Sequence, residues 1–297
     1  MAVILVTGSS TGIGYATALT LARNGHTVYA SMRNPTRSPQ LQETAEQENL
    51  KLITLPMDVL DEGSITDAVN GILAKEKQID VLVNNAGVAA WGSVEELDME
   101  YFRRDMETNY FGTVRCIKAV MTGMRERRSG TIINVTSVAG KVYANFHGPY
   151  CASKAAVEAL SESLAQELAP FNVKVAIVEP GIVETPIFSK VNPYPDQLLY
   201  PNLKRFMSIF AASLENHVQP SVVADVINEI VSGNSDRLRY TAGPDAIPLL
   251  TWRSSMSDEE WVSSVNIDEK TWIDMMEQNM GLPVTTYMEA PEVPVLH

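Results

Sequence analysis

Residues 131–169 place a β-branched run, a loop and a helix in immediate succession. The run reads Thr131-Ile-Ile-Asn-Val-Thr-Ser137, and after the loop Tyr150-Cys-Ala-Ser-Lys154 begins a stretch rich in Ala, Leu and Glu. The β-branched residues predict a buried strand, so Ser137 is expected just beyond its carboxyl end, where open parallel sheets bind ligands. Tyr150 and Lys154 are four residues apart and therefore share one face of a helix.

These three side chains form a candidate catalytic group. A free tyrosine has a pKa of about 10, and a lysine ammonium one turn away stabilises the phenolate and is expected to lower that pKa. Tyr150 would then donate or accept a proton near neutral pH, while Ser137 hydrogen-bonds the same substrate oxygen.

The spacing alone is a weak signal, because an ordinary surface pair can have it. Tyr200 and Lys204 are also four residues apart, but Pro201 follows the tyrosine and Ile187, not a serine, stands 13 residues before it. Ser137 does stand 13 residues before Tyr150, between the predicted strand and helix. This combination favours a catalytic function.

Composition restricts the class of protein. The chain has 297 residues, of which 45% are apolar and 20% charged, enough for one large α/β domain or two small ones. The net charge of −13 argues against nucleic-acid or anionic-membrane partners. We also expect a cytoplasmic protein without a membrane span, since no apolar run is long enough and the first residues lack a basic region. Two cysteines make no disulfide framework, and we expect no metal site.

A glycine turn follows the first predicted strand, Ala2–Val6. The segment Thr7-Gly8-Ser-Ser-Thr-Gly12-Ile-Gly14 leads into a helix predicted over Ile13–Asn24. Glycines let a backbone approach a ligand closely, and a helix N-terminus attracts phosphate. The turn therefore predicts a pyrophosphate site at Gly8, Ser10, Thr11, Gly12, Ile13 and Gly14.

Arginines follow the second predicted strand, Thr27–Ser31. A fold that prefers NAD places an acidic residue there, but this chain has Arg33 and Arg37 and no carboxylate. The pattern favours the 2′-phosphate of NADP, with Arg33 as the contact. The alternative is that both arginines are solvated loop charges.

Further strands alternate with helices. Strands are predicted at Lys51–Leu55, Ile79–Val83, Val173–Val178 and Arg237–Ala242, and a long helical region over Asp98–Arg128 contains Asn109. This alternation predicts a doubly wound, parallel α/β sheet of the Rossmann type with helices on both faces. Asn84-Asn85-Ala86-Gly87 follows the fourth strand, at the edge where the sugars of a cofactor would pass, although it could be a simple turn.

Taken in order, these motifs resemble those of the short-chain dehydrogenase/reductase family. The likeness extends from about residue 2 to 185 and includes Asp58 and Pro180-Gly181-Ile-Val-Glu-Thr185. It implies Asn109, Ser137, Tyr150 and Lys154 as a catalytic tetrad, with Lys154 also holding the nicotinamide ribose and Asn109 anchoring a water. It further implies that Asp58 contacts adenine, that Asn85, Ala86 and Gly87 lie by the ribose, and that Pro180, Gly181, Val183 and Thr185 border the nicotinamide. More loosely, the chain is similar to the branch with 17-beta-hydroxysteroid and retinol dehydrogenases.

The segment after Thr185 carries many aliphatic and aromatic residues. We interpret residues 185–219 as a helical substrate lid over one domain of residues 1–281, followed by a loose tail over 282–297; a packed helical hairpin is the alternative. Trp91, Val142, Tyr143 and Phe146 are expected to face the lid. Since these facing positions carry no arginine or lysine except Lys141, we expect a bulky, mostly apolar substrate.

The sequence therefore predicts an NADP(H)-dependent oxidoreductase that interconverts a carbonyl and a secondary alcohol. Alternatives are a sugar-nucleotide epimerase, a 3-oxoacyl-carrier-protein reductase and a non-catalytic NADP-sensing regulator. The family resemblance also implies a homodimer or homotetramer.

Overall fold

The seven strands form one parallel sheet. The computed structural model describes residues 1–187, 199–200, 202–215, 218–233 and 236–288. The strands are β1 Val3–Val6, β2 Thr27–Met32, β3 Leu52–Pro56, β4 Val81–Asn84, β5 Gly130–Val135, β6 Val173–Pro180 and β7 Arg239–Ala242. Their spatial order is β3-β2-β1-β4-β5-β6-β7, and every neighbouring pair is parallel. The predicted doubly wound sheet is confirmed.

The helices follow the strands in alternation as far as β6. They are α1 Gly12–Arg23, α2 Gln40–Gln47, α3 Glu62–Glu76, α4 Met99–Asp105, α5 Gly112–Arg127, α6 Gly148–Leu168, α7 Leu203–Glu215, α8 Pro220–Val231, α9 Ala246–Ser254, α10 Asp258–Ser263, α11 Glu269–Asp274 and α12 Thr285–Met288. In the part of the chain that the structure describes, no helix combines the length and apolar character needed to cross a membrane.

Alternating side chains of each strand supply two separate cores. On β1, Ile4 and Val6 pack on one face with residues of α1 and α8, whereas Leu5 packs on the other with residues of α3, α5 and α6. Successive side chains of a strand point to opposite faces, so a strand covered on both sides must be apolar throughout. This explains the uninterrupted apolar run of β1.

The sheet reverses its strand order between β1 and β4. In open α/β sheets, ligands bind outside the carboxyl ends of the strands at such a switch point. The glycine turn after β1, the Asn84–Gly87 segment after β4 and Ser137 after β5 therefore lie at one edge of the sheet.

The helical region predicted over Asp98–Arg128 is not a uniform α-helix. A π-helical segment, Met106–Phe111, separates α4 from α5 and contains Asn109. Single π-helical turns inside α-helices occur frequently at functional sites. Here the wider turn accommodates an asparagine whose side chain bonds a neighbouring loop rather than solvent.

The lid and the tail differ in part from their predictions. Residues 188–198, with the predicted lid residues Phe188, Val191, Tyr194 and Leu198, lie outside the described residues, as does His217. The described part of the lid includes α7, which buries Leu203, Phe206 and Met207. The first tail residues are not loose, because Val284 and Met288 are buried in an apolar cluster with Ala212 of α7.

Candidate active site

Ser137 lies immediately after β5. Its backbone is extended, and its side chain is buried, accepts a hydrogen bond from the Ala139 N–H (3.2 Å) and lies 3.5 Å from the Pro180 carbonyl oxygen. These contacts fix the hydroxyl between β5 and the end of β6.

A buried carboxylate, that of Glu158, holds the end of β5 next to Ser137 through hydrogen bonds. The Thr136 hydroxyl donates to Glu158 Oε1 (2.6 Å), and Arg239 of β7 donates to Glu158 Oε2 (2.8 Å). Removing one partner of such a buried pair leaves an uncompensated charge, which is strongly destabilising. Sequence reasoning missed this cluster because Arg239 is more than 70 residues away along the chain.

Tyr150 and Lys154 occupy the first two turns of α6. Pro149 stands at the start of this helix, where its missing N–H costs no intrahelical hydrogen bond. Lys154 is buried, donates from Nζ to the Val135 carbonyl oxygen (2.9 Å) and lies 5.6 Å from the centre of the Tyr150 ring. Lys154 thus joins α6 to β5, one helical turn from Tyr150.

The predicted lowering of the Tyr150 pKa is wrong for this structure. Withdrawal from water raises the pKa of the phenol, and the neighbouring Ser137 hydroxyl lowers it by a smaller amount. The same effect lowers the pKa of Lys154 to about 8, against the attraction of Glu158 and Asp105. The four-residue spacing reveals the nearby lysine charge but not the loss of solvation that disfavours both ions. Tyr150 is therefore a neutral phenol, a proton donor.

Asn109 is held by the protein through its whole amide group. Its Oδ1 accepts from the Val88 N–H (2.9 Å), and its Nδ2 donates to the Val88 carbonyl (2.9 Å) and to Ser153 Oγ (2.8 Å). Ser153 lies between Tyr150 and Lys154 in sequence, so Asn109 connects the loop after β4 to the catalytic helix.

The glycine turn folds tightly against the end of β4. Gly8 and Gly12 have φ of 68° and 59°, values that favour glycine, and a Cβ at Gly14 would lie 2.4 Å from the Gly8 carbonyl oxygen. Asn85 Nδ2 donates to the carbonyl oxygens of Thr7 (3.0 Å) and Gly8 (3.2 Å). The turn is therefore shaped both by its own glycines and by Asn85.

The Thr7 hydroxyl strengthens this contact, because it accepts the backbone N–H groups of Asn85 (2.9 Å) and Ala86 (3.0 Å). At Gly87 the lack of a side chain lets the backbone lie close to two candidate residues, Asn109 and Lys154. A Cβ there would lie 3.3 Å from Asn109 Oδ1 and 3.7 Å from Lys154 Nζ.

Arg33 and Thr11 are exposed at the same edge of the sheet. The Ser9 N–H donates to the Ser31 carbonyl (2.9 Å), which joins the glycine turn to the end of β2, two residues before Arg33. Thr11 is the N-cap of α1, and its side chain makes no capping hydrogen bond. Ser10 is half-buried in the same turn.

Asp58 follows β3, next to β2. One carboxylate oxygen accepts the Leu60 N–H (3.1 Å), which closes the turn toward α3, while its own N–H donates to Ser64 Oγ (3.0 Å). The residue thus has a role in the turn whether or not a ligand is bound.

The segment after β6 is fixed by a residue that the sequence did not reveal. Asp245 Oδ2 accepts the Ile182 N–H (2.7 Å), and a Cβ at Gly181 would lie 2.0 Å from Asp245 Oδ1. Gly181 is therefore required for the approach of this carboxylate. Nothing in the local sequence of Pro180–Thr185 points to a partner 63 residues away.

A cavity of about 750 Å³ brings most of these segments together. Its wall includes Ser137, Tyr150 and Ile13, together with Pro180, Gly181, Val183 and Thr185 from the loop after β6. The predicted facing residues Trp91, Val142 and Tyr143 also line it, whereas the fourth, Phe146, does not and packs on Phe206 instead. Lys154 and Asn109 do not line this cavity; Lys154 lies beside the Tyr150 ring, and Asn109 bonds Val88 and Ser153.

The outer part of the cavity comes from α7, which lies in the predicted lid, and from C-terminal helices that the sequence did not assign to the site. Phe206, Ile209 and Phe210 of α7 line it, as do Trp252, Trp261 and Trp272 of the C-terminal helices. Arg205 and Arg253 line it as well, so the expectation that the cavity lacks cationic residues is wrong. Their guanidinium groups lie over Trp272 and Trp261. Within the described residues, no three His, Cys, Asp or Glu side chains gather where they could hold a metal ion.

Comparison with known proteins identifies the family. The model of the short chain dehydrogenase family matches residues 2–196. The chain belongs to this family. It is an oxidoreductase of the short-chain type that acts on an alcohol or carbonyl substrate.

Three relatives show how far the similarity extends. The chain is 35% identical to the 3-ketodihydrosphingosine reductase of Bacteroides thetaiotaomicron, over 82% of this chain and 88% of that protein. It is 34% identical to human 17-beta-hydroxysteroid dehydrogenase type 1, over 84% of this chain and 80% of the relative. A solved structure of an actinorhodin polyketide ketoreductase variant with NADPH superimposes with a TM-score of 0.71 at 28% identity, covering 82% of this chain and 97% of that one. The looser likeness to the hydroxysteroid dehydrogenase branch is thereby confirmed.

Proposed function

We propose that this chain interconverts a ketone and a secondary alcohol on a bulky, mostly apolar substrate, with NADP(H) as cofactor and Tyr150 as acid and base. The observation that carries the proposal is the shared wall of one cavity. Ser137 and Tyr150 lie on the same wall as Pro180, Gly181, Val183 and Thr185, the segment expected to border the nicotinamide. A substrate carbonyl in this cavity would meet the two hydroxyl groups and the cofactor together.

The residues around the glycine turn fit a dinucleotide. The first N–H groups of α1 face the edge of the sheet without a side-chain cap from Thr11, and they suit a pyrophosphate. NADP(H) would supply or accept the hydride. Gly87 lies close to Lys154 Nζ, and in the proposal this ammonium donates a hydrogen bond to a ribose hydroxyl.

In the direction of reduction, Ser137 and Tyr150 hydrogen-bond the carbonyl oxygen and polarise it. The Tyr150 hydroxyl gives its proton to this oxygen as negative charge develops, which leaves a phenolate. The Lys154 ammonium, one turn away, stabilises the phenolate until it regains a proton. In oxidation Tyr150 accepts the proton instead.

Asn109 contributes to this chemistry by positioning Tyr150 and Lys154. Its amide bonds Val88 and Ser153, which keeps the first turns of α6 fixed against the loop after β4. We assign it to the tetrad as the residue that orients Tyr150 and Lys154. The water that the family resemblance implies at this position belongs to the same proposal.

Arg33 supports the choice of NADP(H). Its side chain is exposed just after β2, whose end is joined to the glycine turn through Ser9 and Ser31, and no carboxylate occupies the corresponding position. A guanidinium pairs well with a phosphate through charge-assisted hydrogen bonds. The NADPH of the related ketoreductase structure is consistent with this choice.

The size and lining of the cavity support a bulky substrate. Pockets for drug-sized ligands have about 300–1,000 Å³, and this one has about 750 Å³ with many aromatic residues in its wall. A 3-oxoacyl-carrier-protein reductase is the closest alternative, and a non-catalytic NADP-sensing regulator is another. Arg205 and Arg253 at the outer end are the feature that would suit an anionic carrier.

The test is NADPH consumption with ketones and aldehydes graded from small to steroid-sized. The proposal expects turnover that increases with the apolar size of the ketone. Turnover of carrier-bound 3-oxoacyl groups only would favour the carrier-protein reductase. Binding of NADPH with no turnover of any carbonyl or alcohol would favour the regulator.

A further inference from the structure

His147 is a buried polar side chain that the proposed chemistry does not use. Its side chain is 7% exposed and lines the cavity, just before α6. Among the described residues no hydrogen bond reaches either ring nitrogen, and these nitrogens are not enclosed by protein, so they are open to the cavity. An imidazole in this position needs an explanation.

The ring lies directly against the candidate acid. It stacks on Tyr150 with 4.6 Å between ring centres and 13° between planes. Its other neighbours are apolar aromatic rings: Phe206 at 5.6 Å and Phe210 at 5.8 Å, with Trp91 at 6.1 Å. His147 therefore places a hydrogen-bonding group inside an aromatic part of the cavity, next to the reacting position.

The backbone that presents His147 is strained. Phe146 has φ of 58°, in the left-handed region that bulky residues rarely adopt, and its carbonyl accepts the Gly92 N–H (2.9 Å). Residues held in such conformations cluster at active sites and ligand clamps. The turn at Phe146 directs the chain so that His147 reaches the cavity while Phe146 packs on Phe206.

We propose that His147 determines specificity by hydrogen-bonding a second polar group of the substrate, attached one or two carbons from the reacting carbonyl. The 4.6 Å between the two ring centres is the separation that the second group has to span when the carbonyl oxygen lies on the Tyr150 hydroxyl. The proposal rests on the proposed function, and it narrows the substrate from an apolar ketone to a ketone with a neighbouring neutral polar group.

The second group is neutral because the imidazole is neutral. Burial lowers the pKa of His147 to about 3, so at pH 7 the ring offers one N–H donor and one nitrogen acceptor. A hydroxyl, a carbonyl or an amide satisfies such a ring, whereas a carboxylate or phosphate would gain no ion pair from it. The cationic side chains of the cavity, Arg205 and Arg253, belong to its outer part.

A packing role for His147 makes a different prediction. If the ring only supports Tyr150 by stacking, phenylalanine should replace it with little change in substrate preference, because it keeps the aromatic surface. If the ring bonds the substrate, phenylalanine should remove the preference for the polar group, because a site built for a hydrogen bond discriminates strongly against the analogue that lacks it.

The experiment compares two ketones of equal size, one with a hydroxyl and one with a methyl group on the β carbon. We expect kcat/KM with NADPH to favour the hydroxy-ketone by about tenfold or more in the unmodified protein, the effect of one buried hydrogen bond. His147→Phe should bring this ratio to within about threefold of one, and His147→Gln, which keeps a donor and an acceptor, should restore part of it.

His26→Phe is the matched control. His26 lies near the first residues of the chain and accepts the Ala2 N–H (3.2 Å). Its replacement should therefore leave the ratio of kcat/KM for the two ketones unchanged. A ratio of one or less in the unmodified protein would overturn the proposal. An equal loss with both ketones in His147→Phe would also overturn it and assign the ring to positioning Tyr150.

The proposed function and the role of His147 can fail separately. If neither ketone nor any other carbonyl is turned over, the proposed function fails, and calorimetric binding of the same two ketones then tests His147. Tighter binding of the hydroxy-ketone that is lost in His147→Phe supports the inference. Equal binding of both ketones by the unmodified protein contradicts it.

Discussion

Lys154 Nζ lies 5.6 Å from the centre of the Tyr150 ring and donates its hydrogen bond to the Val135 carbonyl oxygen, 2.9 Å away. One buried lysine thus joins the catalytic helix to β5 and places its charge beside the phenol. Burial favours the neutral form of each group. Near neutral and mildly alkaline pH, the charge of Lys154 therefore changes more readily than that of Tyr150.

The first prediction concerns pH. The pKa of Lys154 is lowered to about 8 by burial, so the ammonium is present below pH 8 and is lost as the pH rises through that value. Since the ammonium is proposed to hold the ribose and stabilise the phenolate, kcat/KM for reduction should decline above about pH 8. Lys154→Arg stays charged over this range, and it should remove the decline while lowering the plateau. A flat profile from pH 7 to 10 in the unmodified protein would exclude this role for Lys154.

The second prediction concerns cofactor choice. Arg33→Ala should weaken NADPH binding by about 1.5–3 kcal/mol, the range for hydrogen bonds to charged groups, and leave NADH binding nearly unchanged. Calorimetric titration with each cofactor measures both. Arg37→Ala, four residues further along the same loop, is the control and should have a smaller effect. Equal affinity of the unmodified protein for NADPH and NADH would contradict the assignment of Arg33.

The third prediction concerns two glycines with opposite surroundings. A Cβ at Gly14 would lie 2.4 Å from the Gly8 carbonyl oxygen and 2.5 Å from Asn85 Nδ2, whereas a Cβ at Gly71 of α3 would meet nothing within 4 Å. Gly14→Ala should lower both the Tm and the affinity for NADPH. Gly71→Ala should stabilise the protein by about 0.4–1 kcal/mol, because alanine has less freedom to lose on folding. If both variants unfolded at the same temperature, the tight packing of the turn would be refuted.

The fourth prediction concerns substrate size. In a homologous series of ketones, each added methylene that enters the cavity should improve binding by up to about 0.8 kcal/mol until the space is filled. We expect kcat/KM to rise along the series and then to level off. Phe206→Ala, which removes an aromatic wall of the cavity, should move the plateau to larger ketones. A flat series, or a preference for short hydroxy acids or sugars, would mean that the usable space is smaller than about 750 Å³.

The fold follows from the sequence because its signals are local. Apolar strands of four to eight residues, the glycine turn and the alternation with helices each depend on neighbours in the chain, and together they specify a parallel sheet. The positions of Ser137 and Tyr150 follow in the same way, since strand ends and helix starts define them.

What the sequence did not reveal depends on contacts between distant segments. Asp245 against Gly181, and the C-terminal helices around the cavity, bring together residues that share no local pattern. The prediction that the pKa of Tyr150 is lowered was wrong for the same reason. Proximity to Lys154 is visible in the spacing, whereas the loss of solvation is a property of the folded site.

Replacement of Tyr150 by phenylalanine tests whether this residue is the proton donor. With a ketone that the unmodified protein reduces, Tyr150→Phe should lower kcat by about a hundredfold or more, since it removes the proton donor, and should leave the Kd for NADPH unchanged. Tyr200→Phe is the matched control, because Tyr200 has the same spacing to a lysine but lies outside the helix and bonds Glu95; it should keep nearly full activity. A Tyr150→Phe enzyme that retains kcat within about threefold would contradict the assignment of Tyr150 as the acid and base.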